Sequence, residues 1–281
     1  MNYRHAFHAG NFADVFKHAV LVRILLHLRE KPAAFRVIDT HAGAGLYDLT
    51  GPEAERTGEW RQGIGRVRAT PLAPAAASLL APYLEVVAAF NPGGALARYP
   101  GSPLLVLRLM RSQDRLTACE LEPSANAALK RALAADLRAK SVAIDGWVGL
   151  NAFLPPKERR GLVLIDPPFE QPDEFSRLAH AIVKAQRKWP TGIYMLWYPI
   201  KDRRAVTHFG RALAESGIPK ILRAELSIGG GADDLGAAGL VLVNPPWRLA
   251  EEMETLLGPL ARVLARGPGG GYGLDWLRGE N

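Results

Sequence analysis

The stretch KILRAELSIGGGADDLGAAGLVLVN, residues 220–244, holds two β-type runs, 220–228 and 239–244, joined by ten residues of which four are glycine. A crossover between parallel strands needs roughly a dozen residues or more, usually a helix, so this connection is too short for one. It suits a hairpin, and the last strand is expected to run antiparallel to the one before it. Earlier β-type runs are FRVID (35–39), RLTACE (115–120), SVAI (141–144), GLVLID (161–166) and GIYMLWYP (192–199). Helical patterns lie between most of them, at 124–138, 172–189 and 202–216. Strands alternating with helices predict an α/β fold: a seven-stranded, mostly parallel sheet covered on both faces, with the last strand antiparallel.

One spacing breaks the alternation. Gly45 and Glu120 are 75 positions apart, where a helix with its turns needs roughly 20–25. The excess contains PEAERTGEWRQGIGRV, an Ala/Leu-rich helical stretch at 74–90, and NPGGALARYPGSP. The expectation is a main domain of residues 1–50 and 101–281, carrying an inserted helical subdomain at 51–100 for substrate recognition.

Composition narrows the class. With 48% hydrophobic residues in 281, the chain can bury a sizeable core. A net charge of +7 and a pI near 9.7 suit a polyanionic partner such as nucleic acid. The single cysteine, Cys119, cannot form an intramolecular disulfide, which fits a reducing cytoplasm. The N-terminus has no apolar signal-peptide core. The longest apolar stretch, 73–90, contains Pro82 and Glu85 and reads as a buried helix, so no membrane association is expected.

The chemistry clusters at strand ends. DTHAGAG (39–45) follows the first strand, and Gly43-x-Gly45 lets a ligand approach the backbone there. Position 48 is Asp48, so this is not a dinucleotide fingerprint, and no Gly-Lys-Ser/Thr follows. Asp39, Glu120, Asp145 and Asp166 each close one of the first four strands, at one edge of the sheet. Any one of them could be a surface acid or a helix N-cap. Together they suit a ligand with a ribose, an adenine amine and a positive charge; S-adenosylmethionine (SAM) has all three.

Asp166-Pro167-Pro168-Phe169 adds a reaction. An aromatic amine is a poor nucleophile because its lone pair is delocalised. The Asp166 carboxylate and the Pro167 carbonyl can each accept one of its N–H bonds, and the prolines add no competing donor. Phe169 offers the base a stacking face worth about 1–3 kcal/mol. The N-terminal YRHAFHAGNFADVFKH (3–18) reads either as a capped surface helix or as a flap, with Lys17 and His18 facing the carboxylate end of SAM and Tyr3 near the substrate. In YPGSP (99–103), Ser102 either closes a turn or bonds the amino-acid end of the cofactor. KERR (157–160) reads as a solvated charge cluster, and Arg56, Arg61, Arg66 and Arg68 as backbone-binding cations. A near twin, GLVLVNPPW (239–247), ends the antiparallel strand, so Asn244 is expected at the opposite edge, starting a C-terminal helical region.

YRHAFHAGNFADVFKH, DTHAGAG, AERTGEW, YPGSP, RRGLVLIDPPFE, LWYPI and LVNPPW together resemble the bacterial 23S rRNA (adenine-N6)-methyltransferases of the RlmJ type, over essentially the whole chain. The resemblance implies a Rossmann-like class I SAM-dependent methyltransferase fold. It implies methylation of one adenosine of naked or partly assembled 23S rRNA, without a metal; separately, a monomer with no obligate protein partner is expected. It carries SAM contacts to His18, His41, Ser102, Glu120, Asp145 and Gly146, catalysis to Asp166, and a substrate approach to Tyr3. The motif aromatic is usually Tyr in that family and is Phe169 here. The alternatives are a DNA adenine-N6 methyltransferase, for which an insertion of about fifty residues is small, and a non-catalytic RNA-binding assembly factor.

Overall fold

Residues 4–230 and 235–280 are described by the computed structural model. Its strands are β1 (Arg36–Asp39), β2 (Leu46–Asp48), β3 (Arg98–Pro100), β4 (Arg115–Cys119), β5 (Ala139–Val142), β6 (Gly161–Ile165), β7 (Ile193–Pro199), β8 (Ile221–Ile228), β9 (Ala237–Val243) and β10 (Gly270–Arg278). Its α-helices are α1 (Phe12–Arg29), α2 (Pro52–Thr57), α3 (Arg66–Ala69), α4 (Pro74–Ala89), α5 (Ser102–Leu109), α6 (Pro123–Leu133), α7 (Gly146–Ala152), α8 (Glu174–Lys188), α9 (Arg203–Ala214) and α10 (Leu249–Leu264).

The main sheet has the order β5-β4-β1-β6-β7-β9-β8-β10. β9 slots between β7 and β8 and runs antiparallel to both, as the short connection requires. Part of that connection, residues 231–234, lies outside the described residues. The remaining central pairs are parallel. This is the Rossmann-like class I methyltransferase arrangement, with one departure from expectation: the sheet has eight strands rather than seven. The eighth, β10, pairs antiparallel with β8 at the edge. Its sequence, GGYGLDWLR, alternates apolar residues with glycine and Asp275. Glycine is depleted in strands, so pairing with β8 rather than intrinsic propensity makes this one. β5 begins two residues before the expected run, because the chain leaves the sheet early enough for Asp145 to cap α7.

The central strands are buried almost throughout, as parallel strands covered on both faces must be. One apolar cluster joins them to α1, α5, α6 and α10; a second joins them to α8 and α9. Burial of each Val, Leu or Ile in these layers contributes about 1.5–3 kcal/mol relative to exposure. Segment 51–100 leaves and rejoins through neighbouring strands, since β2 pairs antiparallel with β3. Its longest helix, α4, packs on α1 and α10, and Leu80, Tyr83 and Val87 share their apolar cluster. Among the described residues no helix is long and apolar enough to cross a membrane.

The direction of β9 carries Asn244 to the edge where its neighbours begin. Its side-chain amide donates to the Pro190 carbonyl at 2.7 Å and the Gly192 carbonyl at 2.9 Å, just before β7. Its φ of 52° is one that asparagine tolerates better than alanine. Asn244→Ala is therefore expected to lower stability by about 1–2 kcal/mol, read by urea unfolding, and to leave ligand binding at the opposite edge unchanged. A loss of SAM binding at intact stability would contradict this placement.

Candidate active site

At the C-terminal edge of β1, β4, β6 and β7 lies a cavity of about 760 Å³. Lys17, His18, His41, Gly43, Ser102, Glu120, Asp145, Gly146, Asp166, Pro167 and Phe169 all line it. The structure thus brings together every expected site residue that it describes; Tyr3 lies outside the described residues.

The N-terminal segment forms one wall. Asn11 caps α1 by accepting the Asp14 N–H, and Asp14 follows in the first turn, where the helix dipole favours an acid. α1 is apolar on nearly all sides and buried, so Lys17 and His18 enter the interior with it. Lys17 Nζ donates to Asp166 Oδ2 and lies 3.0 Å from Asp14 Oδ1. Desolvation pulls the Lys17 ammonium down, but Asp14 and Asp166 overcome this and raise it well above its ordinary value. Desolvation likewise pushes Asp14 up, while His5 and Lys17 hold it well below the usual carboxylate range. Burial lowers His18 to about 3, against the pull of Asp14, so its ring is neutral. His18 Nδ1 lies 2.7 Å from the Tyr99 hydroxyl, which meets the Tyr83 hydroxyl at 2.9 Å. His18 Nε2 is buried with no hydrogen-bond partner in the protein.

Asp14 was not apparent as a site residue from sequence, although its spacing three and four residues before Lys17 and His18 puts all three on one helical face. Glu59 was missed as well. It accepts from Asn11 Nδ2 at 3.0 Å, meets His8 Nδ1 at 3.0 Å, and lines the cavity. It ties AERTGEW to the N-terminal segment.

Glycines and acids shape the second wall. Gly43, at φ 63°, donates its N–H to Glu120 Oε2 at 2.8 Å, and a Cβ there would lie 2.2 Å from the Tyr47 hydroxyl. Glu120 Oε1 accepts the Glu122 N–H. Burial raises the Glu120 carboxyl, and these backbone donors oppose the rise. A Cβ on Gly146 would lie 2.2 Å from the Thr40 carbonyl and 2.7 Å from the His41 ring. His41 Nδ1 meets Thr40 Oγ1 at 2.8 Å, and burial lowers the ring to about 4. Asp145 caps α7, with Oδ1 accepting the Trp147 and Val148 N–H groups. Ser102 donates to Asp39 Oδ2 at 2.6 Å, and burial raises Asp39 to about 7 in spite of that bond. SAM fits these residues. An orphaned ring nitrogen, an acid at the end of the second parallel strand, and two turns with no room for a side chain form a cradle for a nucleoside with a charged tail.

The third wall is the loop after β6. Phe169 adopts φ 51°. Its ring packs edge-on against Phe175, with centroids 5.0 Å apart, and against Trp197 at 5.9 Å. Trp197 and the buried Glu174 also line the cavity. Burial raises the Glu174 carboxyl, opposed by the Phe169 backbone N–H.

The basic residues sort differently from expectation. Arg66 donates to the Ala265 carbonyl at 2.6 Å, capping the end of α10. Arg61 pairs with Glu55, Arg68 donates to the Gly94 carbonyl, and Arg56 lies over Phe7. KERR is only partly a solvated cluster: Glu158 pairs with Arg36 and Arg160 donates to the Leu28 and Ala33 carbonyls. Besides Lys17, the cations at the cavity itself are Arg4, Arg177, Lys201 and Arg266.

Comparison with known proteins gives the lineage. A family model described as "Ribosomal RNA large subunit methyltransferase D, RlmJ" matches residues 32–278. The chain is 42% identical, over 279 residues and 99% of either chain, to "Ribosomal RNA large subunit methyltransferase J" of Escherichia coli K12. It is 40% identical, over 100% of either chain, to the protein of that name from Haemophilus influenzae. A crystal structure of protein LPL1258 from Legionella pneumophila has the same fold, with a TM-score of 0.87 at 34% identity, covering 96% of this chain and 98% of that one. A match of this extent in sequence and in structure means that the chain belongs to the RlmJ family.

Proposed function

We propose that the protein transfers a methyl group from SAM to N6 of one adenosine in 23S rRNA, acting on naked or partly assembled RNA. The observation that carries this reading is the meeting of Lys17, Asp14 and Asp166 beneath the Asp-Pro-Pro-Phe loop, beside a cradle suited to SAM. SAM supplies an electrophilic methyl when bound. His18, His41, Ser102, Glu120, Asp145 and Gly146 hold it, with Lys17 and Gly43 completing that wall.

Asp166 then works by position. Lys17 engages one of its oxygens, and the other is left to accept an N–H of the incoming amine. The Pro167 carbonyl accepts the second N–H. Held at both hydrogens, the nitrogen can pyramidalise and direct its lone pair along the line of displacement, which is catalysis chiefly by orientation. An aniline-like amine needs no prior deprotonation, so Asp166 orients it and stabilises the charge that develops on it. The base reaches this depth only when unpaired or flipped out, and Phe169 lies where it would stack. Tyr3, which lies outside the described residues, is proposed from the family resemblance to approach the substrate.

Segment 51–100 serves as the substrate-recognition part, supported by the reach of Glu59 into the cavity, and 1–50 with 101–281 as the SAM-binding part. Arg4, Lys201 and Arg266 are exposed at the cavity and suit the phosphates flanking the target. A ribosomal RNA substrate fits a cytoplasmic monomer with no obligate protein partner.

Incubation of the protein and labelled SAM with rRNA lacking the modification is expected to yield N6-methyladenosine at one mapped position; label on duplex DNA alone would refute the proposal. Asp166→Ala should lower kcat/KM by roughly 100-fold or more, with the fold intact by circular dichroism. Gly146→Ala, whose Cβ has no room beside Thr40 and His41, should weaken SAM binding by roughly 10-fold in calorimetry. Unchanged affinity would mean that this turn stands apart from the cofactor.

A further inference from the structure

Among the described residues, four buried side-chain polar atoms have no hydrogen-bond partner: His18 Nε2, Trp60 Nε1, Glu174 Oε2 and Trp197 Nε1. Such orphans are uncommon in folded proteins, and each calls for a cause. Three of the four residues line the active-site cavity. His18 lies on the SAM wall. Glu174 and Trp197 lie on the other side, under the Phe169 loop, where no cofactor contact is assigned.

The sheet register places Trp197 beside the reacting group. β6 and β7 pair in parallel with Ile165 opposite Leu196. Continued by one residue, that register sets Asp166, just past the end of β6, level with Trp197, which is still inside β7, about 4.8 Å away along the hydrogen-bonding direction. Residues level with one another in parallel strands project to the same face. An indole N–H is a donor only and cannot be satisfied by another donor. The Phe169 ring, at 73° to Trp197, and the apolar cluster behind it pack against the indole, and neither supplies an acceptor.

We propose that Trp197 is a specificity-determining residue, whose indole N–H donates to adenine N1, the ring nitrogen next to the amine held by Asp166 and Pro167. This rests on the adenine-N6 function proposed above. In a base read along its Watson–Crick edge, N1 of adenine is an acceptor, and in guanine the same position carries a hydrogen. A fixed donor there accepts adenine and leaves guanine with two donors facing each other. The same contact satisfies the orphaned indole, so the pocket becomes complete only when the right base is seated against Phe169. The orphaned Glu174 oxygen under the same loop points the same way: with the loop as it stands, two polar groups await a ligand.

The test uses the full-length protein and an RNA carrying the mapped site, with the target either adenosine or 1-deazaadenosine, in which N1 is replaced by C–H. Trp197→Phe keeps the ring and removes the donor. It is expected to lower kcat/KM on adenosine by roughly 5- to 100-fold, with SAM affinity and the unfolding midpoint unchanged. Wild-type protein should show a loss of similar size on the 1-deaza RNA, and the variant little further loss on it. Trp197→Phe activity within twofold of wild type, or an equal 1-deaza penalty in both proteins, would overturn the assignment. Absence of N6 methylation by the wild-type protein on adenosine would instead overturn the underlying function, and that control is read separately.

Discussion

The rest of the site depends on one buried ammonium. Lys17 sits inside the protein, where an uncompensated charge costs several kcal/mol, and two carboxylates compensate it. Asp14 comes from its own helix, one turn earlier. Asp166 comes from the end of β6. The pairing fixes how deep α1 lies against the sheet edge and how the Asp-Pro-Pro-Phe loop begins. Removing one partner of such a group typically costs about 3–5 kcal/mol, because the other is stranded. The charge that pairs with the Asp166 carboxylate is thus also a tie between the N-terminal helix and the sheet. His18, one residue further on, remains neutral because burial outweighs the pull of Asp14.

The same helix is held from outside by the inserted segment. Glu59 engages both His8 and Asn11, and the Ile64 N–H donates to the Gly10 carbonyl at 2.9 Å. Gly63 allows this approach: a Cβ on it would lie 2.1 Å from that carbonyl oxygen. Backbone therefore lies directly on backbone where the insertion meets the turn before α1. A part of the chain far in sequence from Asp166 helps set the geometry at Asp166, through α1 and Lys17.

Much of this is legible in the sequence. The short connection at 229–238 required an antiparallel β9, and the acids after β1, β4, β5 and β6 marked the ligand edge, because strand ends and turns are local features. What escaped was non-local. β10 is glycine-rich and becomes a strand by pairing with β8. Arg66 reads as a free cation until the end of α10 is seen to receive it. Glu59 has no partner within its own stretch. Trp197 reads as an ordinary buried aromatic in LWYPI until the β6–β7 register places it level with Asp166. Asp145 shows that lining a cavity and capping a helix need not be alternatives, since it does both.

The near twins GLVLIDPPF and GLVLVNPPW show how far identical letters can answer to different neighbours. Gly161 is required because a Cβ would lie 1.8 Å from the Arg36 carbonyl oxygen; Gly239 is required because one would lie 2.0 Å from the Tyr198 ring. Both apolar runs fill buried strands, but one strand is parallel to its neighbours and the other antiparallel. Asp166 therefore emerges beside Lys17 at the ligand edge, while Asn244 emerges at the far edge and closes onto the carbonyls before β7. Phe169 tucks against Phe175 and Trp197, whereas Trp247 is 73% exposed with Arg248 over its ring. An amide at position 244 could in principle hold a base, yet its Nδ2 already donates to the Pro190 and Gly192 carbonyls, at the edge opposite the cavity. Chain direction, more than motif spelling, separates the chemical site from its copy.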